Sequence, residues 1–364
     1  MRGMALGRHL ASHDQLELKT VVASKGFQIL PSIFQKYVVK WSAAGRGKPW
    51  YLETPDKDSL DGPSPDYVVC SGSRTVSACL HIMKSNASRK MFSVFAGYPD
   101  LPFINFDQVI LPKYEANAKL AKLGPLARQN NCIITNTPLL GSAPVKAIPS
   151  GNLQAFTDSS PNLTAVVIGG HAPQCRWYSE DAASLADTMR RMVSHLDTRL
   201  AIVFTDRTSP LVKEAIRKGV ESINNSVEIW DFTNTEATTA EKLDIYESII
   251  QNAKRVILTA DLDYATAHAA SNRKPVYIAF GGRCRSYLLH FQRWARESRL
   301  TRKLRLDRTP RLQPDVDPYS YLGKHLPWAD GWRVLEVDST MAHVGHEIQA
   351  IRSEKVTGKR RKDA

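Results

Sequence analysis

From Leu163 onward the chain alternates without interruption between short apolar runs and amphipathic helical segments, and few folds accept that rhythm. Leu163 to Gly170 is an apolar run ending in Gly-Gly. Asp181 to Leu196 sets Leu185, Met189, Met192, Val193 and Leu196 at helical spacing. Leu200 to Phe204 reads as a strand, Leu211 to Val220 as a helix, Val227 to Phe232 as a strand and Glu241 to Ala253 as a helix. Arg255 to Ala260 is a strand of the buried type, followed by a turn, a short helix and a further apolar strand from Pro275. Strands need unbroken apolar runs when helices cover both faces of a parallel sheet, because neither face meets water. This half is expected to be a doubly wound α/β domain.

The first half is less regular but similar in kind. Tyr67 to Ser71, Met91 to Ala96, Gln108 to Leu111 and Cys132 to Thr135 are short apolar strands, and a helix carrying Ala78, Leu80, Ile82 and Met83 follows Arg74. A length of 364 residues suits two domains of about 100–200 residues each. The expected organisation is two Rossmann-like α/β domains facing a cleft, residues 1–150 and 151–340, with a closing helix over 341–354 and a basic, disordered tail over 355–364. The Pro/Gly/Ser-rich span from Thr137 to Pro161 reads as the interdomain connection, and the Pro-rich span from Thr309 to Pro318 as a surface loop.

Charge and cysteine usage narrow the setting. The formal charge is +13, and the segment from Arg283 to Arg311 holds ten Arg or Lys against Glu297 and Asp307, with four more cations at Lys359 to Lys362. Such a field favours anionic partners, including an acidic membrane surface met through Arg283–Arg311. No aromatic-interleaved platform accompanies the charge, which argues against nucleic acid. The five cysteines (Cys70, Cys79, Cys132, Cys175, Cys284) are odd in number and lack CxxC spacing, which argues against a disulfide framework or a zinc site and for a reducing compartment. No apolar run reaches the roughly 18 residues of a membrane span, and no secretory leader is evident.

Open α/β sheets bind nucleotides and phosphates at the carboxyl ends of their strands, and the candidate ligand residues sit there. Ser71-Gly72-Ser73-Arg74 offers backbone donors and an arginine. Gly169 and Gly170 form a tight turn before His171, the candidate for acid–base work. Thr205, Arg207 and Thr208 end a third strand, and Asp261 and Asp263 follow a fourth. Asp261 and Asp263 read also as helix N-cap residues, and His268 as a packed or capping residue rather than a base. P-loop, GxGxxG, HExxH and nucleophile-elbow motifs are absent, so neither a metal nor a resident cofactor is expected.

Taken in order, Ser71-Gly-Ser-Arg-Thr75, Phe106-Asp-Gln-Val-Ile-Leu-Pro112, Val167-Ile-Gly-Gly170 with Trp177 and Glu180-Asp181, Arg207-Thr208, Thr259-Ala-Asp261 and Lys274-Pro-Val-Tyr277 resemble the mitochondrial-fission family named after the elongated mitochondria of a plant mutant. The resemblance implies a two-domain, glycosyltransferase-B-like fold. In plants the family looks like an adaptor that brings a dynamin-related GTPase to the outer mitochondrial membrane; its bacterial relatives look more like nucleotide-sugar enzymes. Two departures bear on catalysis. The family pattern begins with a strand and a Gly-His-Glu-Asn-Gln-like turn ahead of the helix that Met1 to Leu10 matches, so the N-terminal domain is expected to lack its first strand. A glutamate that would hold the donor ribose hydroxyls is replaced by His268.

The resulting expectation is a non-catalytic adaptor acting peripherally at the mitochondrial outer surface, with a cytoplasmic location as the alternative site. The alternative activity is that of a glycosyltransferase using a nucleoside-diphosphate sugar bound in the cleft.

Overall fold

The computed structural model describes residues 2–11, 15–42, 49–60, 62–86, 91–120, 130–141, 162–233, 236–306, 319–322 and 331–357. The chain divides into two compact units, one comprising residues 1–142 and 336–364, the other residues 143–335. Most of the expected interdomain connection, the loop over 309–318 and the tail beyond 357 lie outside the described residues.

The first unit opens with α1 (Arg2–Leu10), followed by β1 (Val22–Ala23), α2 (Lys25–Gln28), α3 (Ser32–Trp41) and β2 (Leu52–Glu53). Its sheet is formed by β3 (Tyr67–Cys70), β4 (Phe92–Ala96), β5 (Gln108–Pro112) and β6 (Cys132–Thr135), with α4 (Val76–Ser85) and α5 (Lys113–Leu120) between strands. These four strands lie in chain order and every pairing is parallel. Alternate residues of β4 serve two cores, as a period of two requires. Phe92, Val94 and Ala96 join Leu6 of α1 on one face, whereas Phe95 packs with Val76 and Cys79 of α4 on the other.

The end of the chain belongs to this unit as well. Helix α11 (Val337–Thr357) places Met341, Val344 and Ile348 in the Leu6–Phe92 core. Lys355 Nζ reaches Asp107 Oδ1 at 2.6 Å, and Arg352 pairs with Asp66. The helix is longer at both ends than the sequence suggested, running three residues into the expected tail. Those last turns are held by ion pairs and by the Arg352 guanidinium and Lys355 ammonium over the Tyr67 and Phe92 rings, so they need no apolar anchor.

The second unit contains β7 (Leu163–Ile168), α6 (Ser179–Leu196), β8 (Arg199–Phe204), α7 (Pro210–Val220), β9 (Val227–Asp231), α8 (Thr239–Asn252), β10 (Arg255–Thr259), α9 (Asp263–Ser271), β11 (Val276–Ala279), α10 (Ser286–Glu297) and β12 (Thr301–Lys303). From β7 to β11 its elements fall within a few residues of the sequence reading. The sheet order is β12-β11-β10-β7-β8-β9, parallel throughout. Strand β12 was not expected; it forms inside the basic run, where Thr301 is buried while Lys303 faces solvent. In this order the chain builds outward from β7 through β8 and β9, then returns to add β10, β11 and β12 on the other side. The connections after β7 and β10 therefore diverge, leaving a crevice at the carboxyl edge between them.

Ile348 is fully buried although it lies at the other end of the chain from the strands it covers. We expect Ile348→Ala to lower the stability of the first unit by about 2–5 kcal/mol, read as an earlier urea transition for that unit with the second unit's transition unmoved.

Candidate functional site

The loops after β7, β8, β10 and β11 leave the sheet at this edge of the second unit, on either side of the crevice. Asp261, two residues beyond β10, is the group on which three of them converge. Its Oδ1 accepts a hydrogen bond from Thr259 Oγ1 at 2.6 Å. Its Oδ2 accepts one from the Gly170 N–H at 3.1 Å and one from Arg207 Nη2 at 3.0 Å. Thr259 Oγ1 also accepts the Gly169 N–H at 2.8 Å. Thr208 Oγ1 donates to the Ile168 carbonyl at 2.6 Å and lies 3.3 Å from Thr205 Oγ1. The ends of β7, β8 and β10 are thereby joined through polar bonds that burial strengthens.

The Asp261 side chain is almost wholly buried, whereas that of Arg207 is 46% exposed. Burial pushes the Asp261 carboxyl above its ordinary range, and the opposing pull of Arg207, Thr259 and the Gly170 N–H only partly offsets it. The guanidinium is anchored at one edge by a buried carboxylate while much of it faces solvent, which suits it to an anionic ligand.

Close approach explains both glycines. A β carbon at Gly169 would overlap the Asp261 carboxylate, and one at Gly170 would overlap the Arg207 carbonyl. Only a residue without a side chain lets these three strand ends meet.

The N-cap reading of Asp261 is overturned. Helix α9 has Leu262 at its N-cap and no side-chain capping bond there, because the Asp261 oxygens are taken by Thr259 of its own strand and by donors after two neighbouring strands. Asp263 stands apart from the Asp261 cluster and accepts the N–H of Tyr264 at 2.8 Å. His268 is packed rather than exposed: Nδ1 lies 3.3 Å from Tyr246 Oη, and the ring stacks on Tyr264. Burial lowers its pKa to about 4, so it is uncharged at neutral pH.

His171 is exposed and stacks on Tyr178 with ring centroids 4.9 Å apart; the Arg176 guanidinium lies 5.7 Å from the same Tyr178 ring. Ser71, Gly72, Ser73 and Arg74 belong to the first unit and are not part of the Asp261 cluster. They form a turn after β3 that is closed by Thr75 Oγ1 donating to the Gly72 carbonyl at 2.9 Å, with Gly72 at a φ of +94°. Among the described residues no group of three or more His, Cys, Asp or Glu could hold a metal ion.

The cysteine argument also needs correction, because Cys175 and Cys284 form a disulfide. Odd count and absent CxxC spacing failed to reveal it because the partners are 109 residues apart in sequence and meet only through the sheet order. Cys175 follows β7 and Cys284 follows β11, so the bridge crosses the end of β10, where Cys175 Sγ lies 3.6 Å from the Ala260 carbonyl. Flanking bonds reinforce the crossing: Arg176 Nε donates to the Gly281 carbonyl at 2.6 Å, and the Arg285 N–H to the Gln174 carbonyl at 2.7 Å. Thr259 carries a local signal of its own, a hydroxyl at the last strand position two residues before an aspartate.

The family described as mitochondrial fission ELM1 matches residues 4–321 of this chain. A protein of Rickettsia prowazekii, RP120, itself uncharacterized, is 24% identical over 246 residues, covering 62% of this chain and 67% of its own. Among solved structures, the UDP-GlcNAc 2-epimerase of Neisseria meningitidis bound to UDP-GlcNAc superposes with a TM-score of 0.50 at 11% identity, covering 96% of this chain and 98% of that one. A putative UDP-N-acetylglucosamine 2-epimerase from Listeria monocytogenes gives a TM-score of 0.45 at 13% identity, covering 82% and 77%.

Two outcomes follow from the packing. Gly169→Ala should force β7 and β10 apart and lower the second unit's stability by about 1–3 kcal/mol, measured by urea denaturation. His268 contributes stability that is present above its unfolded value near pH 6.5 and lost as pH falls toward about 4. Replacing it by Gln should remove up to about 3 kcal/mol of that acid-side loss, seen when unfolding curves at neutral and mildly acid pH are compared.

Proposed function

Because the chain belongs to the mitochondrial fission ELM1 family, we propose that it binds a nucleoside-diphosphate sugar at the carboxyl edge between β7 and β10 and acts as a glycosyltransferase. The observation that carries this reading is the Asp261–Arg207 pair at the switch point of a 3-2-1-4-5-6 parallel sheet. A half-exposed guanidinium held in place by a buried carboxylate supplies a preorganised fork for a diphosphate. The two glycines leave backbone close to the ligand path, and the His171–Tyr178 stack beside them offers an aromatic face and an imidazole. The likeness to a UDP-GlcNAc-bound epimerase in fold is consistent with this choice of ligand class.

A second reading is a non-catalytic adaptor at the mitochondrial outer surface, recruiting a dynamin-related GTPase. His268 favours it. The ring is buried against Tyr246, so this position of α9 presents no carboxylate to ribose hydroxyls, and charge-assisted bonds worth about 1.5–3 kcal/mol each are forgone.

Calorimetric titration with UDP, GDP and their sugar conjugates separates the readings. Micromolar binding is expected for at least one of them, weakened about tenfold or more in Arg207→Ala, with release of free nucleoside diphosphate on incubation with the matching donor. Binding without turnover moves the balance to a nucleotide-responsive adaptor; a flat titration across the panel removes the nucleotide-sugar reading altogether.

A further inference from the structure

We propose that the first unit carries a bilayer-docking surface, formed by the loop between α2 and α3 together with the outer side of α3, which takes an anionic lipid membrane as its partner. Ile29 is 83% exposed, Phe34 58% and Trp41 79%, and Leu30, Ile33 and Tyr37 are also exposed. On a helix of 100° per residue, Ile33, Phe34, Tyr37 and Trp41 fall on one side, opposite Gln35 and Val39, which face the protein. Helix α3 is thus apolar on two sides, and the unit buries only one of them.

This outer side does not result from loose attachment. Gln35 Nε2 donates to the Leu30 carbonyl at 2.7 Å, and Ser77 Oγ donates to Gln35 Oε1 at 2.7 Å. Lys84 Nζ donates to the carbonyls of Val39, Lys40 and Ser42 at the end of the helix. Trp50, 72% exposed, rests edge-on against Phe27 and Tyr51 with centroids 5.6 Å away. The aromatic side chains are presented on an anchored scaffold, so little ordering is required when a partner arrives.

Charge selects the partner. No acid lies between Glu17 and Glu53, and the described cations of α2 and α3 are Lys25, Lys36 and Lys40, Lys19 being paired with Glu17 at 3.0 Å. Lys25 and Lys40 are exposed and Lys36 partly so, and on the helix Lys36 and Lys40 flank the apolar side. Apolar and aromatic side chains that enter the interface, with lysine stems reaching back to phosphates, are what an interfacial helix presents to an anionic bilayer. The Arg283–Arg311 segment lacks the apolar half of that description. Its described residues include exposed Arg293, Arg296, Arg299 and Arg305, but Leu289 is the one strongly exposed large apolar side chain among them.

The test is vesicle co-sedimentation of the full chain, followed also by the emission of its tryptophans. Vesicles of phosphatidylcholine with about one third phosphatidylserine should carry the protein down, and pure phosphatidylcholine should carry far less. Phe34→Ser combined with Trp41→Ser should lower partitioning at least about tenfold, and Lys36→Glu with Lys40→Glu by a similar factor, since each cation near such a surface is worth about fivefold. Both pairs are surface changes, so far-ultraviolet circular dichroism and thermal midpoint should match the parent. Arg293→Glu with Arg296→Glu should change binding little. Failure of the parent to bind anionic vesicles overturns the proposal. So does unchanged binding by the Phe34/Trp41 variant, or a loss confined to the Arg293/Arg296 variant. Light scattering that shows a dimer dissolved by the Phe34/Trp41 change would assign the surface to a second copy instead. None of these outcomes depends on nucleotide binding in the second unit.

Discussion

The second unit is organised around one buried carboxylate. Asp261 would be costly in the interior without partners, and it is tolerated because donors from three different strand ends converge on it: Thr259 from its own strand, Gly170 after β7 and Arg207 after β8. The sheet order makes this possible, since β7 lies between β8 and β10. Burial still prevails over the donors, leaving the carboxyl above its ordinary range. Its contribution to stability is accordingly complete below the unfolded value and declines as pH rises through the raised one. Holding Arg207 at the crevice therefore takes some stability from the fold, an expense characteristic of sites arranged for a ligand.

The loops around this carboxylate are fixed by other means than the sheet alone. The Cys175–Cys284 bridge and the Arg176–Gly281 and Arg285–Gln174 bonds tie the loop after β7 to the loop after β11 across the end of β10. A β carbon at Gly281 would meet the Asp181 carboxylate and the Arg176 carbonyl, so this crossing, like the one at Gly169, depends on a missing side chain. Closing a loop of this length by a covalent link removes freedom mainly from the unfolded chain. In the folded protein it holds His171, Arg176 and Tyr178 beside the crevice.

How much of this was legible in the sequence depends on the range of the interaction. The strands and helices of the second unit were readable because unbroken apolar runs such as Leu163–Ile168 and periodic segments such as Leu185–Leu196 are local signals with one structural solution. Gly169, Gly170, Thr205, Arg207, Thr208 and Asp261 are candidates in the sequence because they stand at strand ends, and the structure brings these six together. The role of Asp261 was not readable: an aspartate ahead of a helix looks like a cap until the sheet order supplies competing donors. The disulfide was hidden for the same reason, since nothing near Cys175 or Cys284 in sequence announces a partner more than a hundred residues away. In the first unit, the residues from Val22 to Glu53 gave no periodic pattern strong enough to reveal β1, β2 and the two helices between them. Their apolar side chains divide between a small core around Phe27, Val39 and Tyr51 and the exposed side of α3.

That division separates two kinds of basic surface in one chain. Cations alone, as along α10, produce a field that salt screens within about 8–10 Å and that any anion can answer. Cations beside fixed aromatic side chains ask for more, because the partner must offer negative charge and accept apolar groups at the same boundary. Sequence charge counts direct attention to the Arg283–Arg311 run, where the number of cations is greatest. Burial directs it to α3, where Phe34, Tyr37 and Trp41 remain exposed. An exposed lysine is ordinary on any helix, whereas a tryptophan left in water on an otherwise well-anchored helix carries the stronger physical information.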